Sequence, residues 1–351
     1  MKEEQKYEKY MKRCLELAKN GTGNVAPNPM VGCIIVADDK IIGEGYHIQY
    51  GKPHAEVNAI ESVIDKSLLT ISTLYVNLEP CSHHGKTPPC SEKIIKSGIK
   101  KVVIGAADSN PCVNGQGISN LKSAGIDVIT GVIEEECRFL NRRFYTYFEK
   151  NRPYIILKWA QTADKFIDIE RKEDFIPQPT IISGEFEHIL DHKWRSEEQA
   201  IMVGRHTVEK DNPLLTNRNW VGKTPIRIIL DKNLKIPSDY NIYNKKAQTI
   251  VFNSLKTEIL NNIEYIKIDY EQDTIEQILK ELFNRRILSV IIEGGRILLE
   301  SFIKKNLWDE ARIFETNKYF NTGVKAPEIT KIPYEIKKLR DNYLKIYYNN
   351  N

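Results

Sequence analysis

Apolar residues recur at intervals of three and four between positions 7 and 19, where Tyr7, Tyr10, Met11, Cys14, Leu15 and Ala18 share a face and Asn20-Gly21 follows as a stop. That spacing predicts an amphipathic helix. Pro27-Asn28-Pro29 then marks a loop. The apolar run Val31 to Ala37, the Asp38-Asp39 turn and a second extended stretch from Ile41 to Gly45 read as a hairpin. Pro53 suits a first helical turn, whose N–H groups lack partners, so a helix is expected from His54 to Ile64. Thr73 to Leu78 and Lys101 to Ala106 are strand-like and Ser91 to Ser97 is helical. Another helix and strand run through Val128, and a helix is expected from about Ile133 to Phe148.

The alternation implies a layered α/β domain with a partly parallel sheet. Apolar periodicity stops at Glu149-Lys150-Asn151-Arg152-Pro153 and restarts as a strand at Tyr154 to Leu157. A boundary there divides the chain into residues 1–149 and 150–351. The second part again reads as α/β. Strands are expected at Ile201 to Val203, Ile226 to Leu230, Thr249 to Phe252 and Ser289 to Ile292, with helices near 184–195, 274–285 and 296–304.

A length of 351 residues accommodates two domains that each bury a core. The 51 basic and 47 acidic residues are interspersed, so the net charge of +4 gives no basic stripe and no reason to expect nucleic acid or a membrane surface as partner. No apolar run approaches the roughly 18 residues of a membrane span, and the N-terminus does not read as a secretory signal. The cytoplasm is the expected compartment. Six cysteines are too few for a disulfide framework in a chain this long. Cys14, Cys33, Cys112 and Cys137 lie in apolar-periodic stretches and read as buried thiols.

Cys81 and Cys90 keep different company. His54-Ala55-Glu56 stands near one helix start, Pro80-Cys81 follows a strand, and Cys90 opens the next helix. An imidazole and two thiolates can thus meet at adjacent helix N-termini, where the helix dipoles and a metal both favour the thiolate. Three ligands leave the fourth tetrahedral position of zinc free for water, as in catalytic rather than structural sites. Glu56 reaches the same cavity without ligating and is the candidate proton shuttle. His-x-Glu followed by Pro-Cys and a further Cys is the pattern of hydrolytic ring deaminases. One Zn2+ per chain is expected, held by His54, Cys81 and Cys90.

Eight residues separate the two cysteines, instead of the two found in nucleic-acid deaminases. Together with PNPMVGC at 27–33, GEGYH at 43–47, HAEVNA at 54–59 and EPCSHHGKTPPC at 79–90, this loop resembles the bifunctional deaminase-reductase family of riboflavin biosynthesis. The resemblance implies a cytidine-deaminase-like three-layer N-terminal domain acting on a diaminopyrimidinone that carries a phosphoribosylamino group. Asn28, His47, His83 and Lys86 would contact that substrate. For Asn28 the residues agree, because flanking prolines stiffen its loop and a carboxamide offers donor and acceptor to a pyrimidine edge.

The resemblance continues through ILKWAQTADKFID at 156–168, HKWRSEEQAIMVGRHTVEKDNPLLTNR at 192–218, PIRIILD at 225–231 and VIIEGG at 290–295. It implies a dihydrofolate-reductase-like C-terminal domain that uses NADPH to reduce ribosyl to ribityl. Pro179, Arg195, Leu215, Arg218 and Glu293 would meet the substrate, and Lys158 and Asp164 would lie near the reacting carbon. Ala160, Ile181, Thr207, Asp211, Lys232, Gly295 and Arg296 would meet NADPH. Locally, Glu293-Gly294-Gly295 between a strand and a helix lets backbone N–H groups approach a pyrophosphate, while no G-x-G-x-x-G fingerprint is present. Two positions depart from the family. Lys165 stands where glycine is usual, and Ile181-Ile182 replaces Trp-Ile.

The leading reading is a two-step enzyme on a small phosphorylated aminopyrimidine, with homo-oligomerisation left open. A deaminase whose second domain has lost reduction, and a non-enzymatic zinc and nucleotide-binding regulator, are the alternatives. A nucleic-acid base deaminase lacks both its basic stripe and its short cysteine spacing here.

Overall fold

All six residues of the strand Gly32–Ala37 are buried, which an apolar run achieves only when layers cover both faces of its sheet. The computed structural model, which describes residues 3–82, 88–111, 113–171 and 175–349, shows those layers. It divides into two compact units, residues 1–151 and 152–351.

The first unit runs α1 (Glu3–Lys19), β1 (Gly32–Ala37), β2 (Lys40–Tyr46), α2 (Ala55–Ser62), β3 (Thr73–Leu78), α3 (Cys90–Ser97), β4 (Lys101–Ala106), α4 (Gln116–Ser123), β5 (Asp127–Ile129), α5 (Glu134–Leu140) and α6 (Arg142–Lys150). Its sheet has the order β2-β1-β3-β4-β5. The hairpin strand β1 is antiparallel to both neighbours, and β3, β4 and β5 are parallel. Ala55, Ala59, Ile60, Ile94 and Leu121 from α2, α3 and α4 form a core on one face. Tyr10, Met11, Cys14, Leu17, Cys137 and Tyr145 from α1, α5 and α6 form the other.

Two expected helices differ from the structure. The stretch Ile133 to Phe148 is broken into α5 and α6 at Asn141, which leaves helical geometry at φ −97° and ψ 22°. Its buried carboxamide accepts the Met30 N–H at 2.8 Å and donates to the Met30 carbonyl at 2.9 Å, a bond pattern that overrides local helix periodicity. The helix expected from His54 to Ile64 spans only Ala55–Ser62, because Val63 turns extended to bury its side chain while Ile64 is left in solvent.

The second unit comprises β6 (Tyr154–Gln161), β7 (Phe166–Asp168), α7 (Glu185–Glu197), β8 (Ala200–Gly204), α8 (Arg205–Asp211), β9 (Ile226–Leu230), β10 (Thr249–Asn253), β11 (Glu258–Leu260), β12 (Ile263–Lys267), α9 (Thr274–Asn284), β13 (Ser289–Glu293), α10 (Arg296–Lys304), β14 (Glu310–Glu315), β15 (Val324–Lys325), β16 (Glu335–Leu339) and β17 (Asn342–Tyr348). Ten strands pair in the order β11-β12-β10-β9-β8-β13-β6-β14-β17-β16, and a separate pair joins β15 to β7. The strands from β12 through β14 are parallel, while β11, β17 and β16 close the edges in antiparallel sense. Their carboxyl ends therefore share one edge, the position where open α/β sheets bind ligands.

In the first unit, α2 rests directly on β2. A Cβ at Gly45 would meet the Ala59 nitrogen at 2.3 Å and the Ala55 carbonyl oxygen at 2.6 Å, and both are backbone atoms. Gly45→Ala is expected to push α2 off the sheet and destabilise this unit by roughly 3 kcal/mol. A lower first midpoint in urea unfolding and faster amide exchange in α2 would show it. An unchanged midpoint would mean the helix can retreat without cost.

Candidate active sites

His54 is the N-cap of α2, but its side chain makes no capping bond. Its Nδ1 instead lies 3.3 Å from Cys90 Sγ and 3.5 Å from Cys81 Sγ. The ligand atoms of His54, Cys81 and Cys90 all fall within 4.8 Å of one another. Bonds of about 2.0 Å to nitrogen and 2.3 Å to sulfur at a tetrahedral angle place those atoms about 3.5 Å apart, so the spacing fits zinc. Cys90 is the first residue of α3, and its N–H donates to Cys81 Sγ at 3.3 Å.

The electrostatics of the chain alone agree with that fit. The Cys90 thiol and the His54 ring hold Cys81 well below the usual thiol range, against the pull of burial. The Cys81 thiolate, together with burial, pushes Cys90 well up. Two adjacent thiolates repel each other, so the charge of a cation favours holding both ionised. Glu56 is fully enclosed in the first turn of α2. Burial, then the Cys81 charge, pushes its carboxyl up to about 7.

Of the expected substrate contacts, Asn28 and His47 are brought to this centre. Asn28 Nδ2 donates to His47 Nε2 at 3.1 Å, and His47 Nδ1 donates to the Pro53 carbonyl at 3.1 Å, which fixes the tautomer. The His47 ring meets the His54 ring edge-on at 5.1 Å. His83 and Lys86 lie outside the described residues. Two buried asparagines hold the Asn28 loop. Asn77 accepts the Gly32 N–H at 2.7 Å and donates to the Met30 carbonyl at 3.1 Å, and Asn141 grips Met30 from the other side.

Glu79, two residues before Cys81, has a buried carboxylate that accepts N–H groups from Asp108, Gly115 and Ile118 at 3.1 to 3.2 Å. It ties the loop before α4 to the cysteine turn. The sequence reading quoted Glu79 inside its motif but gave it no task. An acidic residue two positions before a candidate metal ligand was the available signal.

In the second unit, Lys158 on β6 faces Glu293 on β13 in register. Arg195 of α7 donates to Glu293 at 2.7 Å, and Lys158 donates to Asp191 of α7 at 2.6 Å. Burial opposes ionisation of Glu293, but Arg195 and Lys158 outweigh it and hold the carboxyl low. Burial raises Asp191, with the Lys158 charge acting against it. His192 accepts the Arg218 N–H on Nδ1 at 3.0 Å, and burial with the Arg195 and Arg218 charges takes it down to about 4. Lys158, Arg195, Arg218 and Glu293 are thus gathered in one place. Asp191 and His192 were not expected there. For Asp191 the signal was the acidic and basic residues spaced by four at 187, 191 and 195, in a stretch expected only to be a helix.

The remaining expected residues divide. Thr207 packs on the turn Gly294-Gly295, where a Cβ on Gly294 would meet its methyl at 2.8 Å, and both glycines have positive φ. Arg296, next along, pairs with Glu300 at 2.5 Å. Asp211 accepts from Arg171 at 2.9 Å, and burial pushes it up to about 6. Lys232 lines a separate open cavity of about 450 Å³ with Ser254, Lys267, Asp269 and Tyr270. Leu215 is buried against the core around Val203 and Val208. The Asp164 carboxylate is occupied by Thr162 and by the N–H groups of Phe320 and Asn321. Pro179 and Ile181 are exposed, and Ala160 is half-buried. Lys165 does adopt left-handed geometry, at φ 67°, with its ammonium on Glu315. Among the described residues no helix is long and apolar enough to cross a membrane.

An imidazole and two cysteines around one point, with a buried carboxyl beside them, place the first unit among zinc-dependent deaminases. Residues 4–106 match the cytidine and deoxycytidylate deaminase zinc-binding region, and residues 153–318 match the RibD C-terminal domain. The riboflavin biosynthesis protein RibD of Aquifex aeolicus is 41% identical over 326 residues, spanning 91% of this chain and 89% of that protein. RibD of Escherichia coli is 32% identical over 344 residues, spanning 91% and 90%. The crystal structure of the Thermotoga maritima diaminohydroxyphosphoribosylaminopyrimidine deaminase/5-amino-6-(5-phosphoribosylamino)uracil reductase superposes with a TM-score of 0.87 at 38% identity, covering 99% of each chain. The chain belongs to the RibD family. It is a bifunctional enzyme of riboflavin biosynthesis, with a cytidine-deaminase-like domain and a dihydrofolate-reductase-like reductase domain.

Cys90→Ser replaces a thiolate by a poor zinc ligand. Metal content after dialysis against a mild chelator is expected to fall from about one zinc per chain to well under half. Cys137→Ala, which removes a buried thiol outside the cluster, should keep its zinc. Full zinc in the Cys90 variant, read by plasma mass spectrometry, would remove that residue from the ligand set.

Proposed function

We propose that the first unit hydrolytically deaminates 2,5-diamino-6-(5-phosphoribosylamino)pyrimidin-4-one and that the second reduces the ribosyl group of the product to ribityl with NADPH; the similar Thermotoga maritima protein is a deaminase and reductase of this substrate pair. The observation that carries the deaminase half is a fully enclosed Glu56 beside a His54, Cys81 and Cys90 donor set spaced for zinc. When bound, zinc supplies Lewis acidity that makes water nucleophilic near neutral pH.

Glu56 takes the proton of the attacking water and passes it to the departing amino nitrogen. A carboxyl pushed up to about 7 can both accept and return a proton at cellular pH. His47, with Nδ1 committed to Pro53, orders Asn28 through Nδ2 and leaves the carboxamide oxygen to accept from the pyrimidine's amino groups.

NADPH supplies the hydride in the second unit. The turn Gly294-Gly295, with Thr207 against it, leads into α10 and gives a pyrophosphate close access to backbone N–H groups. Arg218, whose guanidinium bonds Thr216 at 3.0 Å, is the freer phosphate clamp, because Arg195 is already committed to Glu293. Lys158 serves the reacting carbon.

Purified protein given the diamino substrate and NADPH is expected to release ammonia and then consume NADPH. Ammonia without any fall in NADPH absorbance would defeat the two-step reading. Glu56→Gln should retain zinc and lose roughly 1000-fold in deamination, while NADPH consumption with the deaminated intermediate persists. Unchanged ammonia release would remove Glu56 from proton transfer.

A further inference from the structure

Lys158, Asp191, Arg195 and Glu293 are four charged groups of alternating sign in one buried assembly. β6 and β13 set Lys158 beside Glu293. α7 lays Asp191 on the lysine and, one turn later, Arg195 on the glutamate. The family resemblance gives roles to Lys158, Arg195 and Glu293 and none to Asp191.

Two observations distinguish Asp191 from a carboxylate that merely fastens a helix to a sheet. A fastening carboxylate uses both oxygens, as Asp309 does with the Arg152 guanidinium and the Ile155 N–H. Asp191 Oδ1 is buried and has no hydrogen-bond partner among the described residues, although buried polar atoms are ordinarily satisfied. The second observation concerns the lysine. Lys158 Nζ makes its single hydrogen bond among the described residues to Asp191 Oδ2, with the Phe314 ring centroid 5.6 Å away. An ammonium carries three donors, so two are left for a ligand. Asp191 thus anchors the lysine without exhausting it.

We propose that Asp191 is a positioning residue for the reductase reaction, holding the Lys158 ammonium as the proton source for the ribosyl group. This rests on the assignment of ribosyl reduction to the second unit. In the net change the C1′–O4′ bond breaks, a hydride from NADPH forms the new C1′–H bond, and the ring oxygen leaves with one proton. NADP+ is the oxidised product. Lys158 delivers that proton and regains one from solvent, and its tether to α7 at Asp191 sets where the donor sits. Without the carboxylate, a buried ammonium would lose its counter-charge and its fixed position together.

The test uses the full-length zinc-loaded chain, with 5-amino-6-(5-phosphoribosylamino)uracil as substrate and NADPH oxidation as readout. Asp191→Asn, Lys158→Met and the double variant form a mutant cycle. Asp191→Asn is expected to lower kcat at least about tenfold, with KM for both substrates changed less than about threefold. In the Lys158→Met background the same substitution should change nothing further, because Asp191 acts through the lysine. Asp191→Glu should recover part of kcat, and Asp191→Ser repeats the cycle should the asparagine variant not fold. Wild-type kcat in Asp191→Asn, or an equal fold-loss in both backgrounds, overturns the proposal. Failure of the underlying reading looks different: undiminished activity in Lys158→Met dismisses the lysine, and no NADPH loss in the wild type dismisses reduction itself.

Discussion

Crowding of three donor atoms, on a buried Cys90 and a half-buried His54 and Cys81, is the constraint on which the first unit depends. Nitrogen and sulfur atoms 3.3 to 3.5 Å apart, two of them on ionisable thiols, repel when both sulfurs are charged, and burial gives them little solvent relief. A doubly charged cation resolves the conflict, and nothing among the described side chains around the cluster supplies an equivalent charge. The surrounding architecture keeps the donors from relaxing apart. Gly45 lets α2 lie on β2 at backbone contact, so His54 cannot move outward without lifting a helix. Glu79 spends its carboxylate on three backbone N–H groups and keeps the cysteine turn against the loop before α4.

The second unit meets the cost of buried charge differently. It offers no crowding of like groups; it sets opposite charges in sequence, each within about 3 Å of its partner. Pairs of this kind break about even against an apolar core in stability, and a ten-stranded sheet with an extensive apolar cluster has no shortage of apolar alternatives. Glu293 ends β13, at the carboxyl edge of the parallel strands, where ligands bind such sheets.

The regular framework was legible in the sequence because it rests on local periodicity. Thr73–Leu78, Lys101–Ala106 and Ile226–Leu230 are strands at the expected residues, and the helix expected near 296–304 is α10. The metal-type cluster was legible too, since ligand identity and helix-start placement are local. What escaped was decided by contacts far apart in the chain. Asn141 breaks a helix to serve Met30, 111 residues away. Asp191 reaches Lys158 across 33 residues from a helix whose buried face is polar, so an apolar-face search passes over it. The antiparallel edge strands β16 and β17 carry mixed burial and charged residues, and they are held by pairing with β14 and each other rather than by an apolar signature.

Lys165 shows how a departure from a family pattern can be absorbed. A lysine at φ 67° accepts a local cost of roughly 1 kcal/mol that glycine would not. Its ammonium reaches Glu315, which also takes Lys345 at 2.7 Å and Gln161 at 3.0 Å. Burial works against that carboxylate, yet the two lysines and the amide hold it down to about 2. The turn is further fixed by Thr162, which donates to Asp164 at 2.6 Å, and by Asp164 accepting from the Phe320 and Asn321 backbone. A turn specified from so many sides does not rely on the intrinsic preference of one residue. The loss of glycine there therefore bears on stability rather than on the reach of Lys158, which stands seven residues earlier on a fully paired central strand.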